Sequence, residues 1–319
     1  MNNHLLITGG AGFIGANFIS YLLERSNYYI TNVDSLTYAS NTEAIKPFEK
    51  SSQYRFFHGD IGNEQDLDAI FDQKYAAIIN FAAESHVDRS IVDAAPFIRT
   101  NINGTFNLLQ AVLNGKAMKM IQISTDEVYG SLQSTDPPFT VETPLAPNNP
   151  YSATKAGADL LVRSYFKTHQ LPLIITRCSN NYGPIQNAEK FIPKVISNAL
   201  NNIDIPVYGD GLNIRDWIYV EDHCRAIKLV LENGVPGEVY NIGGYEEKTN
   251  LEVIQIILNK LKKSDQLIHF IEDRKGHDRR YSMDSGKIAS KLGWKPRVSF
   301  SEGIDRTIEW YKKQEHDSR

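Results

Sequence analysis

Two short stretches of this 319-residue chain gather side chains able to do chemistry. Ser-Thr-Asp-Glu-Val-Tyr-Gly at 124–130 sets a hydroxyl and two carboxylates side by side, and Tyr-Ser-Ala-Thr-Lys at 151–155 sets a phenol four residues from an ammonium. On a helix that spacing puts Tyr151 and Lys155 on one face, one turn apart. A phenol with its ordinary pKa of about 10 is a poor base at neutral pH, and a neighbouring ammonium favours the phenolate and lowers that value. Tyr151 could then take a hydroxyl proton while hydride leaves the same carbon, with Thr125 holding the hydroxyl. Oxidation of that carbon to a ketone acidifies the hydrogen on its neighbour. Glu127 is placed to remove this proton, and Asp126, if protonated, to donate to a departing hydroxyl. Two carboxyls in one site push their pKa values apart, which suits opposite roles. Exposed loop acids without a chemical role are the competing explanation for Asp126 and Glu127.

Elements that could position these groups surround them. The apolar run Met118–Ile123 reads as a buried parallel strand, so the Thr-Asp-Glu triplet sits where a strand ends, the edge at which open α/β sheets bind ligands. Nearer the N-terminus, the strand His4–Thr8 leads into Gly-Gly-Ala-Gly-Phe-Ile-Gly at 9–15 and then into helical spacing over 16–25. Strand, glycine turn and helix in that order form the context a dinucleotide fingerprint requires. Gly9 permits the tight turn, Gly12 lets the backbone approach a pyrophosphate, and Gly15 lets helix pack on strand, with the helix N-terminus attracting phosphate. Asp34 ends the next strand, Tyr28–Val33, where it can accept from both ribose hydroxyls and would repel a 2′-phosphate, favouring NAD over NADP. A nicotinamide ring beside Tyr151 would add a second positive charge to that of Lys155. A third strand, Tyr54–His58, is closed by Asp60 and Ile61, which could flank an adenine. A fourth, Ala76–Phe81, ends in Ala82-Ala83-Glu84-Ser85-His86, where small residues let backbone lie along a cofactor. Ser85 is a candidate phosphate ligand; His86 reads as a structural histidine.

Over 96–114 the spacing predicts a helix whose stripe of Phe97, Ile98, Ile102, Phe106 and Leu109 is explained first by core packing. Residues 136–150 read as a loop, 151–167 as a helix and Leu173–Thr176 as a sixth strand. After Arg177 the alternation loosens, with Asn180–Pro184 as a turn-rich segment, a helix over 189–201 and a short strand near 206–208. Further on come the segment 214–219, a helix over 220–231, a strand over 238–242 and a helix over 251–261. The fold class expected is α/β, a Rossmann-type doubly wound parallel sheet with a smaller mixed α/β C-terminal substrate-binding region. Residues 1–177 form the NAD-binding core, and 178–319 mainly bind substrate, with some segments returning to the first unit. Lys190, Arg215, Arg274, His277 and Arg279 recur in the second half and could hold a diphosphate. Composition is ordinary for a globular protein, 41% hydrophobic and 23% charged, and the net charge of -4 gives no support to a nucleic-acid or membrane partner. Cys178 and Cys224 stand in apolar or helical contexts, which argues against a disulfide framework. The apolar run Leu5–Ile7 is too short for a signal segment or a membrane span, so a cytoplasmic protein is expected. No metal is expected.

These motifs resemble the extended short-chain dehydrogenase/reductase family and, within it, the NAD-dependent epimerase/dehydratase branch. Matching segments run over nearly the whole chain: 8–15, 82–90, 124–130, 151–155, 178–184, 214–222, 240–244 and 276–281. The Thr-Asp-Glu triplet is the specific element, since sugar-nucleotide epimerases share the fingerprint and the Tyr/Lys pair without the two carboxylates. The resemblance implies dehydration of dTDP-glucose to dTDP-4-dehydro-6-deoxy-glucose, on the way to deoxysugars such as rhamnose. It assigns Thr125 to the substrate 4-hydroxyl, Asp126 as general acid, Glu127 as general base, and Tyr151 with Lys155 as the redox pair. Around NAD it implies Phe13, Ile14, Asp34, Ser35, Leu36, Thr37, Asp60, Ile61, Phe81, Ala82, Ala83, Ser85, Thr100 and Asn181. Around the nucleotide sugar it implies Ser85, Thr125, Asn180, Lys190, Arg215, Asn250, Asp273, Arg274 and His277; Lys275 stands where relatives commonly have proline. It further implies a homodimer built through the helices over 96–114 and 151–167. The alternatives are a nucleotide-sugar 4-epimerase in which Asp126 and Glu127 are idle, and a non-catalytic NAD-binding sensor, against which the intact Tyr151/Lys155 pair argues.

Overall fold

The computed structural model describes residues 3–273 and 276–317. Its strands are β1 (His4–Thr8), β2 (Tyr29–Asp34), β3 (Tyr54–His58), β4 (Ala77–Asn80), β5 (Met120–Thr125), β6 (Leu173–Cys178), β7 (Asn180–Tyr182), β8 (Ile205–Tyr208), β9 (Ile214–Tyr219), β10 (Val239–Ile242), β11 (Glu247–Thr249) and β12 (Ile268–Ile271). Seven of them make one sheet in the order β10-β6-β5-β4-β1-β2-β3, every pairing parallel. All residues of β4, β5 and β6 are buried. Helices cover both faces of such a sheet, so its central strands carry near-continuous apolar runs. The chain leaves β1 for β2 and β3, then crosses back to β4, β5 and β6. The gap between β1 and β4 is therefore the topological switch point, where a crevice opens at the strand C-termini.

The second half contributes to this sheet as well. β10 pairs with β6, and Cys224, Ile227, Val230 and Leu231 of the Val220–Asn233 helix share a core with Phe18, Ile19 and Leu22 of the Phe13–Arg25 helix. A separate core of Tyr182, Ile196, Trp217, Ile257, Phe300 and their neighbours lies by a three-stranded sheet, β11-β9-β7, and a parallel pair, β12-β8. β7, β11 and β12 are new relative to the sequence reading, which made 180–184 a turn. At three or four residues each they are too short to show a period.

The expected continuous helix over 96–114 is instead a short helix Ala95–Phe97, a π-helical stretch Ile98–Gly104 and a helix Thr105–Leu113. The wider π turn breaks the 3.6-residue stripe. Phe97 and Leu109 are buried, but Ile98 and Phe106 are 47% and 39% exposed, which corrects the core-packing explanation for those two. π turns concentrate at functional sites. Here Asn101 on that turn accepts from Glu84 N at 2.9 Å and donates to Thr154 Oγ1 at 2.9 Å. It thereby ties the segment after β4 to the helix bearing Tyr151. No described helix is long and apolar enough to cross a membrane.

Candidate active site

At the switch point lies a cavity of about 320 Å³, lined by the glycine turn, the ends of β2, β4 and β5, Tyr151, Lys155 and residues 178–190. The turn is glycine for steric reasons. Gly9 has φ +72°, and a Cβ there would stand 2.5 Å from Ala82 N. At Gly15 a Cβ would stand 2.3 Å from Gly9 O, so the helix could not seat on the turn. No side chain caps the Phe13–Arg25 helix, so its first-turn N–H groups remain available to an anion. Asp34 Oδ2 accepts from Ala11 N at 2.9 Å, and Oδ1 accepts from Leu36 N at 2.9 Å and Ser40 Oγ at 2.8 Å. The carboxylate is thus locked in place by its own loop while it lines the cavity. Phe13, Ile14, Ser35, Thr37, Asp60, Ile61, Phe81, Ala82, Ala83, Thr100 and Asn181 line it too. Leu36 does not: its side chain packs beside Ala11, Ala16 and Ile45.

The Pro150–His169 helix starts with a capping box, Asn149 Oδ1 accepting from Ser152 N at 2.9 Å. Its first turn turns Tyr151 and Lys155 inward, and both are buried. Lys155 Nζ donates to the Ile123 carbonyl at 2.7 Å. Burial pushes the Tyr151 hydroxyl well above its ordinary value, and Glu127, Cys178 and Asp126 push the same way. That reverses the expected direction. Lys155 spends a donor on β5, and burial, with the carboxylates of the triplet adding to it, sets the direction at the phenol. A positive group entering the cavity would join Lys155 in favouring the phenolate.

Thr125 Oγ1 donates to Asp126 Oδ1 at 3.1 Å and accepts from Glu127 N at 3.3 Å. Asp126 is 2% exposed, and its Oδ2 is buried without a partner among the described residues. Burial, then the charge of Glu127, raises Asp126 well above its ordinary carboxylate value, which favours its protonated form. Both acids line the cavity, which removes the explanation of Asp126 and Glu127 as exposed loop acids. Burial lifts the Cys178 thiol to about 12, leaving it a neutral wall.

The residues implied for the nucleotide sugar divide into two groups. Ser85, Thr125, Asn180 and Lys190 line the cavity, and Lys190 Nζ donates to Ser85 O at 3.1 Å. Arg215, Asn250, Asp273 and His277 lie outside its lining, in the second half. Arg215 is buried, donates to the Asp278 carbonyl at 2.9 Å and stacks 4.3 Å over the Tyr281 ring. Its charge nonetheless reaches Asp126, which it draws downward. His277 Nδ1 lies 2.7 Å from Asp273 Oδ1. Asn250 opens the Asn250–Leu261 helix, its N–H donating to Asn213 O at 3.0 Å. Arg274 and Lys275 lie outside the described residues.

A family model described as GDP-mannose 4,6 dehydratase matches residues 6–307. The chain belongs to this family. This GDP-mannose 4,6 dehydratase family member is 51% identical to the low-salt glycan biosynthesis protein Agl12 of Haloferax volcanii, over 96% of this chain and 98% of that one. It is 47% identical to a dTDP-glucose 4,6-dehydratase of Neisseria gonorrhoeae, over 97% and 95% of the two chains. The crystal structure of DesIV, the dTDP-glucose 4,6-dehydratase of Streptomyces venezuelae, determined with NAD bound, matches with a TM-score of 0.95 at 46% identity and 98% coverage of both chains.

The cavity of the family member suits such a dinucleotide: a glycine-lined anion site at one end, a fixed acid beside it, and a phenol, an ammonium and two carboxyls at the other. Sequence reasoning missed Ser40, Ser179, Gln186 and Asn187 among the lining residues. Ser40 carried a signal, being a hydroxyl in the loop that Asp34 opens. Asn187 and Gln186 follow a turn with no period, and only the fold brings them across to the glycine-turn side, where Asn187 Nδ2 donates to Tyr38 O at 3.4 Å.

Proposed function

We propose that this chain is an NAD-dependent hydro-lyase that converts dTDP-glucose to dTDP-4-dehydro-6-deoxy-glucose in deoxysugar (rhamnose-type) biosynthesis. The observation that carries the reading is a buried Asp126, its proton favoured by burial and by Glu127 beside it, in the same cavity as Tyr151 and Lys155. Oxidation alone needs only the last two; elimination needs an acid and a base as well. NAD, held by the glycine turn, Asp34 and the strand-end residues named above, supplies the acceptor and later the donor of one hydride. Thr125 positions the 4-hydroxyl, and Tyr151, its phenolate favoured by Lys155 and by the cationic form of the cofactor, takes its proton. Glu127 then removes the C5 proton, now acidified by the 4-ketone. Asp126 protonates the departing 6-hydroxyl, water leaves, and a 4-keto-5,6-ene remains. C6 regains the original C4 hydride and C5 a proton, so the product differs from substrate by one water. Lys190, Arg215, Asn250 and the Asp273–His277 segment hold the nucleotide diphosphate.

The exposed apolar residues Ile98, Phe106, Leu113 and Leu160 support a homodimer built through the helices over 95–113 and 150–169. Two buried free thiols, Cys178 and Cys224, support work in the reducing cytoplasm. dTDP-glucose labelled with deuterium at C4 tests the reaction. The product should have lost one water, carry the label at C6 and, in heavy water, gain solvent deuterium at C5. Label returned to C4 with no loss of water would make the chain an epimerase, and no turnover of label would leave an NAD-binding sensor.

A further inference from the structure

The helix that presents Tyr151 and Lys155 carries a third buried ionisable group, Asp159, at the same four-residue spacing. Asp159 Oδ2 accepts from Arg177 Nε at 2.9 Å. Arg177 Nη1 donates to the Tyr129 hydroxyl at 2.7 Å, that hydroxyl donates to Asn241 Oδ1 at 2.8 Å, and Asn241 Nδ2 donates to Phe139 O at 3.0 Å. The chain of bonds runs from the end of β6 to β10 and to the segment after β5, and buried rings enclose it: Arg177 lies 4.8 Å over Tyr129, which stacks on Phe139. We propose that Asp159, anchored by Arg177, is a positioning residue that keeps Lys155 in its ammonium form behind the Tyr151 hydroxyl. The proposal rests on the reading of Tyr151 and Lys155 as the redox pair.

Burial alone drives Lys155 toward its neutral form, and Asp159, then Cys178, opposes it. Burial likewise pushes Asp159 up, while Arg177, Lys155 and Ser124 bring it down. Burial remains the larger effect on both, leaving Asp159 above and Lys155 below its ordinary value. Arg177 keeps its proton at any accessible pH, so support runs in one direction: Arg177 favours the ionised form of Asp159, and Asp159 favours the charged form of Lys155. Other groups face the same space. Tyr151 meets Glu127, Cys178, Asp126 and Thr125, and Asp159 also meets the Tyr129 hydroxyl. An Asn at 159 would leave two buried cations with no anion between them, and only Lys155 can release its proton.

The test is the pH dependence of the first appearance of reduced nicotinamide when holoenzyme meets dTDP-glucose. Asp159→Asn should move the acid limb of that rate upward by about one unit or more, roughly a tenfold loss on that limb, with NAD content and substrate KM unchanged. If Lys155 keeps its proton without Asp159, removal of a nearby anion instead lowers Tyr151, and the limb stays or moves down; either result overturns the proposal. The double variant Asp159→Asn with Arg177→Met removes both charges and covers a single variant that fails to fold. It should show a smaller upward shift, and a limb at the wild-type position overturns the proposal. Tyr151→Phe is run alongside. Nicotinamide reduction that survives it sinks the redox-pair reading itself, whereas a Tyr151-dependent reaction with an unmoved limb sinks only the role of Asp159.

Discussion

The wall of the cleft from Gly9 to Ser85 is built from consecutive strand ends of one sheet, whereas Arg215, Asn250, Asp273 and His277 come from separate small elements of the second half. In the first wall the groups that line the cavity are backbone, small residues and apolar side chains, with Asp34, Asp60 and Glu84 among them, and the turn is fixed by steric necessity at Gly9 and Gly15. The second, outside the cavity lining, offers mainly long or charged side chains already engaged: Arg215 with Asp278 O, His277 with Asp273, and nearby Arg280 with Glu247 at 2.6 Å. A parallel sheet delivers its strand ends to one edge regardless of side chain, so the first wall is preformed. The second wall depends on side-chain bonds that a ligand can exchange for its own. The proposed cofactor site should therefore tolerate changes in the second wall, while changes at the junction of the two should stop the chemistry.

The junction is the place to break this contrast hardest. Tyr151→Phe should abolish the appearance of reduced nicotinamide on mixing with dTDP-glucose, a loss on the order of 10²–10⁴-fold or more for a group that moves a proton in the transition state. Glu127→Gln should do the opposite to the signal, oxidising substrate and then stalling, so that reduced nicotinamide accumulates. Full turnover in Glu127→Gln would mean another group takes the C5 proton. On the first wall, Asp34→Ala should remove ribose bonds to a charged acceptor, worth roughly 1.5–3 kcal/mol, and free the loop that Ala11, Leu36 and Ser40 hold to it. NAD should bind far more weakly, with its advantage over NADP erased; an unchanged preference measured by titration removes the role of Asp34. The smallest effect belongs to the second wall. Arg215→Ala should raise the KM for dTDP-glucose about tenfold, the lower end for one charge-assisted bond, and leave bound NAD at its wild-type level. Loss of NAD instead would place Arg215 in the cofactor site or the fold and dissolve the contrast.

Local sequence determined the motifs and what they could do. The strand, glycine turn and helix at 4–25, the acid ending β2, the Thr-Asp-Glu triplet after β5 and the Tyr/Lys spacing are all short-range patterns, and the parallel sheet follows from alternation of strands with helices. Asp34 could be assigned a ligand from its place after the fingerprint alone. Tertiary structure decided the rest, because it depends on what is near in space. Whether Asp126 is protonated turns on burial and on its neighbour Glu127, and the direction of the Tyr151 shift turns on burial first and then on those acids. The π turn at Ile98–Gly104 moved Ile98 and Phe106 from the expected core to the surface. The return of β10 to the large sheet, the arrival of Asn187 beside Tyr38 and the Asp159–Arg177 pair all join residues distant in the chain. A period in sequence reports which face of an element is apolar; it carries no information about which distant segment that face, or a charge beside it, will meet.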